Sequence, residues 1–190
     1  ERNLFRSTRV HSTVEVDGEE QNITNMSTPF VLGDEAHPRV LSWETASDTD
    51  FISAEHEGYA RLSEPVTCRR SVRFDKRQRF WLVEDRLSGE GEHDFRFRFH
   101  LAPGLTVRVH DWMLEALDER SGARLLIAPH DLKVKPRLED AFTSNDYGAK
   151  SASIIACWTL RSRVPPTRLK RRRSSTPRRW RRTRAHARPS

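Results

Sequence analysis

Cysteine is scarce in this chain: two among 190 residues, Cys68 and Cys157. No pair has C-x-x-C spacing, which excludes a zinc ribbon. Both lie in apolar, strand-like surroundings, so two separate buried thiols are expected rather than a disulfide. Long apolar runs are missing too; nothing approaches the roughly twenty residues that a membrane-spanning helix needs. No signal-peptide pattern opens the sequence, and its first residue is Glu1, not Met. It therefore reads as an internal or truncated piece of something longer, and missing targeting information then says nothing about location. There is no nucleophile elbow, P-loop or dinucleotide fingerprint.

Acidic residues are absent from one region only. Thirteen of the 34 Lys and Arg fall in residues 161–190, which contain no Asp or Glu. Residues 1–160 thus carry 21 basic against 27 acidic groups, a net of −6, and the formal +7 of the whole belongs to the tail. That tail holds Pro165-Pro166, Lys170–Arg173 and Arg178-Arg179-Trp180-Arg181-Arg182. It lacks the apolar periodicity needed to offset the entropy of ordering, so disorder is expected. Three origins fit: an out-of-frame terminus of a G+C-rich gene, a phosphate-binding segment in which Trp180 stacks on a base, or a solvated or membrane-surface tail. The domain boundary is expected at 160/161.

Residues 1–160 read as strands. Thr13–Val16 alternates and meets the turn signal Asp17-Gly18. Arg39–Trp43, Val66–Phe74, Phe80–Val83, Leu105–Val109, Arg124–Ala128 and Ser153–Leu160 are further strand candidates. The clearest places Phe95, Phe97, Phe99 and Leu101 on one side and Arg96, Arg98 and His100 on the other; a period of two is a strand signature. Turns recur at Ser88–Gly91, Pro103-Gly104 and Ser121-Gly122. The expected fold is all-β, an antiparallel two-layer β-sandwich. Only Trp112–Arg120 and Leu138–Phe142 read as short helices.

The side carrying Arg96, Arg98 and His100 has two readings, a solvated, salt-bridged face or a surface meeting an anionic polysaccharide or a neighbouring domain. The opening stretch, Phe5 to Gln21, is an Arg-rich entry, a histidine at a strand start, an alternating strand and a tight turn. A lone histidine such as His11 serves as a hydrogen-bonded structural residue or as a ligand. Arg6 and Arg9 suit either packing or paired donation to a uronate carboxylate. His93 and His100 are further candidates, against the plain reading of ordinary histidines. His37, His56, His110 and His130 follow no ligand spacing. Asn22-Ile23-Thr24 and Asn25-Met26-Ser27 are formal glycosylation sequons, relevant only in a secretory eukaryotic setting.

Residues 6–21, R-S-T-R-V-H-S-T-V-E-V-D-G-E-E-Q, resemble the heparinase II/III-like signature R-S-T-x-x-H-N-T-V-x-V-D-G-x-x-Q. A second match follows: Arg70–Phe74, Trp81–Leu87, Gly89, Gly91, His93, and the Phe-x-Phe-x-Phe-His-Leu-x-Pro run ending at Pro103. The resemblance covers about residues 1–160. It implies the carboxy-terminal β-sheet portion of a two-part bacterial lyase with an amino-terminal (α/α) toroid. Such enzymes cleave uronate-containing polysaccharide by β-elimination, in which a base removes the C5 proton and the charge that develops is stabilised electrostatically. The proton-transfer Tyr and His precede this chain, so no catalytic residue is expected within it. The resemblance also makes His11 one ligand of a structural zinc whose other ligands, a His and an Asp, lie upstream. Ser12 stands where the family usually has Asn.

The implied partners are acidic polysaccharide and the toroid, and the implied location is the cell envelope, periplasm or exterior. Two other functions stay open: a non-catalytic carbohydrate-binding or scaffold module acting through Arg96, Arg98 and His100, and nucleic-acid binding through the tail. An isolated sheet of this kind would expose apolar surface.

Overall fold

Alternation of apolar and polar side chains organises the chain into antiparallel sheets in the computed structural model, which describes residues 2–165. A single helical turn, Arg2–Phe5, and a 3₁₀ turn, Thr8–Val10, lead into eleven strands. These are β1 (Val14–Val16), β2 (Arg39–Thr45), β3 (Thr49–Tyr59), β4 (Val66–Asp75), β5 (Phe80–Gly89), β6 (Glu92–His100), β7 (Thr106–His110), β8 (Met113–Leu117), β9 (Arg124–Ile127), β10 (Arg137–Thr143) and β11 (Ser151–Arg163). They form three sheets, ordered β1-β6-β11-β10, β2-β3-β4-β5 and β7-β8-β9. The all-β, antiparallel expectation holds.

The two expected helices are strands. Met113–Leu117, inside the first, pairs with β7 and β9. Its Leu and Ala favour helix locally, but Leu114 and Ala116 alternate into the core at 0% and 2% exposure, and burial overrides a propensity worth only tenths of a kcal/mol per residue. Leu138–Phe142 lies within β10 and pairs with β11 in unbroken register from Arg137↔Cys157 to Thr143↔Ser151.

One face of the first sheet is apolar along its middle. Phe95, Phe97 and Phe99 of β6 lie opposite Leu160, Trp158 and Ala156 of β11, and directly paired residues share a face. This wall supports two cores. At one end Val14, Val16 and Phe95 meet Tyr59, Val66 and Cys68 of the second sheet. At the other, Ala156, Trp158 and Leu101 meet Leu114 and Ala116 of the third. Phe97 packs against both. The layers are thus one sheet facing two.

β11 runs to Arg163, and Val164 is buried in the first core. The expected boundary at 160/161 falls inside this strand. The expectations for the tail from residue 166 onward lie outside the described residues. Cys68 and Cys157 are separate, buried thiols, and burial together with the nearby Asp85 charge pushes Cys68 up to about 12. A thiol so protonated is chemically inert.

The second sheet reaches past the first core. Its inward face continues through Ile52, Val72 and Val83, in register with Trp43, and Trp43 and Trp81 are 73% and 56% exposed there. The expected exposed apolar surface is present.

Candidate functional site

The signature segment is held by its own residues. Ser7 Oγ donates to Glu20 Oε1 at 2.6 Å, and the Thr8 N–H to Glu20 Oε2 at 2.6 Å. The Gln21 N–H donates to Thr8 Oγ1 at 2.9 Å, and the Gln21 amide to Thr13 Oγ1 at 2.8 Å. The two ends of the segment therefore close on each other around buried Thr8. Burial alone would raise the Glu20 carboxyl, but the Ser7 and Thr8 hydrogen bonds outweigh it and hold the group below its ordinary value.

Asp17 and Gly18 form the turn after β1 with positive φ of 54° and 77°, a conformation that Gly and Asp tolerate best. Asp17 also has a second duty. Its carboxylate accepts from His93 Nδ1 at 2.6 Å and from the Asp94 N–H at 2.9 Å. His93 is 3% exposed. Burial opposes its charged form, but the Asp17 carboxylate and the Glu90 carbonyl outweigh that penalty, so its pKa is raised. His93 is thus a structural ion-pair residue tying β6 to the turn.

The charged face of β6 is salt-bridged, as one reading expects, but its centre is buried rather than solvated. Arg98 and Glu15 are each 4% exposed. Arg98 Nε donates to Glu15 Oε2 at 3.0 Å, and Nη1 to Glu139 Oε2 at 2.6 Å. Arg96 donates to the other oxygen of Glu15. Residues 7–11 cross this face: His100 Nδ1 lies 2.8 Å from the Val10 carbonyl, and Nε2 lies 2.6 Å from Ser153 Oγ. The His100 N–H donates to Ser12 Oγ at 2.9 Å, so Ser12 caps β6 where the family motif has Asn.

Beside this network lies a polar hollow of about 180 Å³, lined by Arg9, Arg96 and Arg98 and by Glu15, Glu19 and Glu20 among others. Its charges balance, so it has no net pull on an anion. The five residues that the sequence offers for substrate separate here. Arg9 is exposed and Arg96 partly so, both at the hollow. Arg98 and His100 are occupied by protein partners. Arg6 points away into the loop that follows Gln21, donating to the carbonyls of Asn25, Thr28 and Val31 at 2.5, 3.1 and 2.6 Å.

His11 is exposed, with Nε2 3.0 Å from the Phe5 carbonyl. Among the described residues no group of three His, Cys, Asp or Glu is placed to hold a metal. A closed zinc site needs about four ligands, so His11 and its surroundings do not form one alone.

Sequence reasoning passed over His56. It borders an apolar hollow of about 150 Å³ with Val14, Ala54, Cys68, Arg70 and Asp85. The Gly58 N–H donates to its Nδ1 at 3.3 Å, and the Gln21 amide lies 3.3 Å from Nε2. Burial, then the Arg70 charge, lowers its pKa. The only signal in the sequence is a polar residue at an inward position of β3, a strand the alternation did not reveal.

A family model described as "Heparinase II/III-like, C-terminal" matches residues 1–181. A comparison with curated proteins finds no match. Among solved structures, the chain is similar to heparan sulfate lyase HepC from Pedobacter heparinus, with a TM-score of 0.67 and 19% identity over 85% of this chain and 23% of that one. It is also similar to a heparinase III gene product, with a TM-score of 0.62 and 17% identity over 83% and 22%. At these identities the likeness shows the fold. The chain spans about a quarter of the length of the solved proteins it matches. Among the described residues no helix is long and apolar enough to cross a membrane.

Proposed function

The chain belongs to the heparinase II/III-like C-terminal family, and from that premise we propose that it is the β-sheet portion of a polysaccharide lyase. The parent protein cleaves uronate-containing polysaccharide by β-elimination, and this portion supports the cleft. The observation that carries the reading is the match of the family model over residues 1–181 to a chain whose fold is that of heparan sulfate lyase structures. The chemistry belongs to the polypeptide preceding residue 1, an (α/α) toroid by resemblance, and the enzyme works in the cell envelope or outside the cell.

The local geometry fits a supporting role. The lock of Ser7 and Thr8 with Glu20 and Gln21 fixes the backbone that carries Arg9 and His11. Both side chains face solvent at its outer side, where a neighbouring domain or substrate is reached. Arg9 is the group left to meet a uronate carboxylate, with Arg96 beside it held by Glu15; Arg6, Arg98 and His100 act on the protein itself. His11 would give zinc one imidazole nitrogen, with the remaining donors from upstream sequence; such an ion would tie the two parts together.

Turnover tests the proposal. The polypeptide that includes the upstream sequence is incubated with heparan sulfate, alginate and bacterial acidic exopolysaccharides, and the ultraviolet absorbance of unsaturated uronate is followed. A rise with at least one of them is expected, and none from the 190-residue chain alone. Turnover by the 190-residue chain, or binding of acidic glycan by the longer protein without turnover of any, would overturn the reading; the latter is what a carbohydrate-binding module gives.

A further inference from the structure

The loop between Gln21 and β2 holds five large apolar side chains in ten residues: Ile23, Met26, Phe30, Val31 and Leu32, at 56, 70, 79, 62 and 50% exposure. An apolar cluster of this kind on a short loop marks an interaction surface. It is also built rather than slack. Thr24 bridges Leu32, and the Gly33 N–H donates to the Ile23 carbonyl at 3.0 Å. Asn25 Oδ1 accepts from the N–H and hydroxyl of Ser27 at 2.9 and 2.6 Å. Arg6 fills the interior with three charge-assisted hydrogen bonds to loop carbonyls, which keeps the apolar side chains on the outside.

The position of the knob names its occupant. The first described residues are packed on it: Asn3 Nδ2 donates to the Met26 carbonyl at 3.2 Å, and the Arg2 guanidinium lies 4.0 Å over the Phe30 ring. Chain entering at residue 2 therefore enters at the knob. Two buried polar atoms at this junction, Asn3 Oδ1 and Arg6 Nε, have no hydrogen-bond partner among the described residues, and buried polar atoms are normally paired. The matched solved chains carry more than three quarters of their length outside the matched region. We propose that the knob at residues 23–32 is the docking surface for the polypeptide that precedes residue 1, with Arg6 as the residue that shapes it. The inference rests on family membership and not on the lyase chemistry, and its readouts do not involve turnover.

The test uses the complete polypeptide, upstream sequence included. Phe30 is replaced by p-benzoylphenylalanine, the protein is irradiated, and the cross-linked peptides are sequenced. A cross-link to sequence preceding Glu1 is expected. A cross-link to residues beyond 165, to a second copy, or none at all overturns the proposal. Peroxide oxidation gives a second readout, with Met113 as internal reference. Phe30→Asp should raise the rate of Met26 oxidation about tenfold while Met113 is unchanged, because oxidation follows exposure. An unchanged Met26 rate also overturns it.

Discussion

Arg98 shows how a surface-looking residue becomes a structural one. Its guanidinium is nearly sealed between Glu15 and Glu139, and removing it leaves buried Glu15 with Arg96 alone and Glu139 without its ion pair, a loss that is costly inside a protein. Arg98→Met should lower the unfolding free energy by about 3 kcal/mol in a urea titration. Arg96→Met, whose side chain is 39% exposed, should cost about 1 kcal/mol or less. His93 gives a pH signature. An unfolded imidazole titrates near 6.5, and the folded value lies above that. The stabilisation from the Asp17 contact is therefore complete below about pH 6.5 and lost as pH rises through the folded value. His56, with a lowered pKa, acts in the opposite sense: its contribution is present above about pH 6.5 and is lost as pH falls. The two are separated by difference. The gap in thermal midpoint between wild type and His93→Gln should be widest near pH 6 and close as pH rises. These roles were only partly legible. The sequence marks Asp17 as a turn residue and places Arg98 on a charged face. The partner that makes Asp17 an acceptor lies 76 residues away, and those that bury Arg98 lie 83 and 41 residues away. No local pattern carries such distances.

At the scale of elements, the segment from Ser7 to Gln21 behaves as a clasp. Glu20 receives two donors from Ser7 and Thr8, and hydrogen bonds to a charged acceptor contribute more than neutral ones. Glu20→Ala should reduce the local opening free energy at the Thr8 and Gln21 amides by about 1–2 kcal/mol, measured by hydrogen exchange. Because the Glu20 carboxyl is held below its ordinary value, the wild-type clasp should loosen only as pH falls into the acidic range. Strand recognition succeeded where one face is apolar and the other charged, as in β6. It failed at β3, whose inward positions are Asp50, Ile52, Ala54 and His56, a mixture with no clean alternation. It failed also at β8 and β10, where short runs of Leu, Ala and Glu favour helix locally and only long-range pairing decides.

At the scale of the whole molecule, the order of strands has a temporal meaning. Val14 and Val16 share a core with Val164, and β11 lies between β6 and β10 in the first sheet. The shared core joins residues near opposite ends of the described chain, and the last strand is an interior one. During synthesis the row Phe95, Phe97 and Phe99 leaves the ribosome on a strand whose neighbour on one side, β11, begins only at Ser151. At typical elongation rates that interval is several seconds. The sheet cannot be completed sooner, because its middle member is made last. Until then one edge of β6 stays unpaired and Phe99 lacks the Ala156 and Trp158 that cover it, while Phe95 already has its partners from β1, β3 and β4; an unpaired apolar edge is prone to wrong association. Closing the first sheet is therefore the last step that synthesis of residues 2–165 allows.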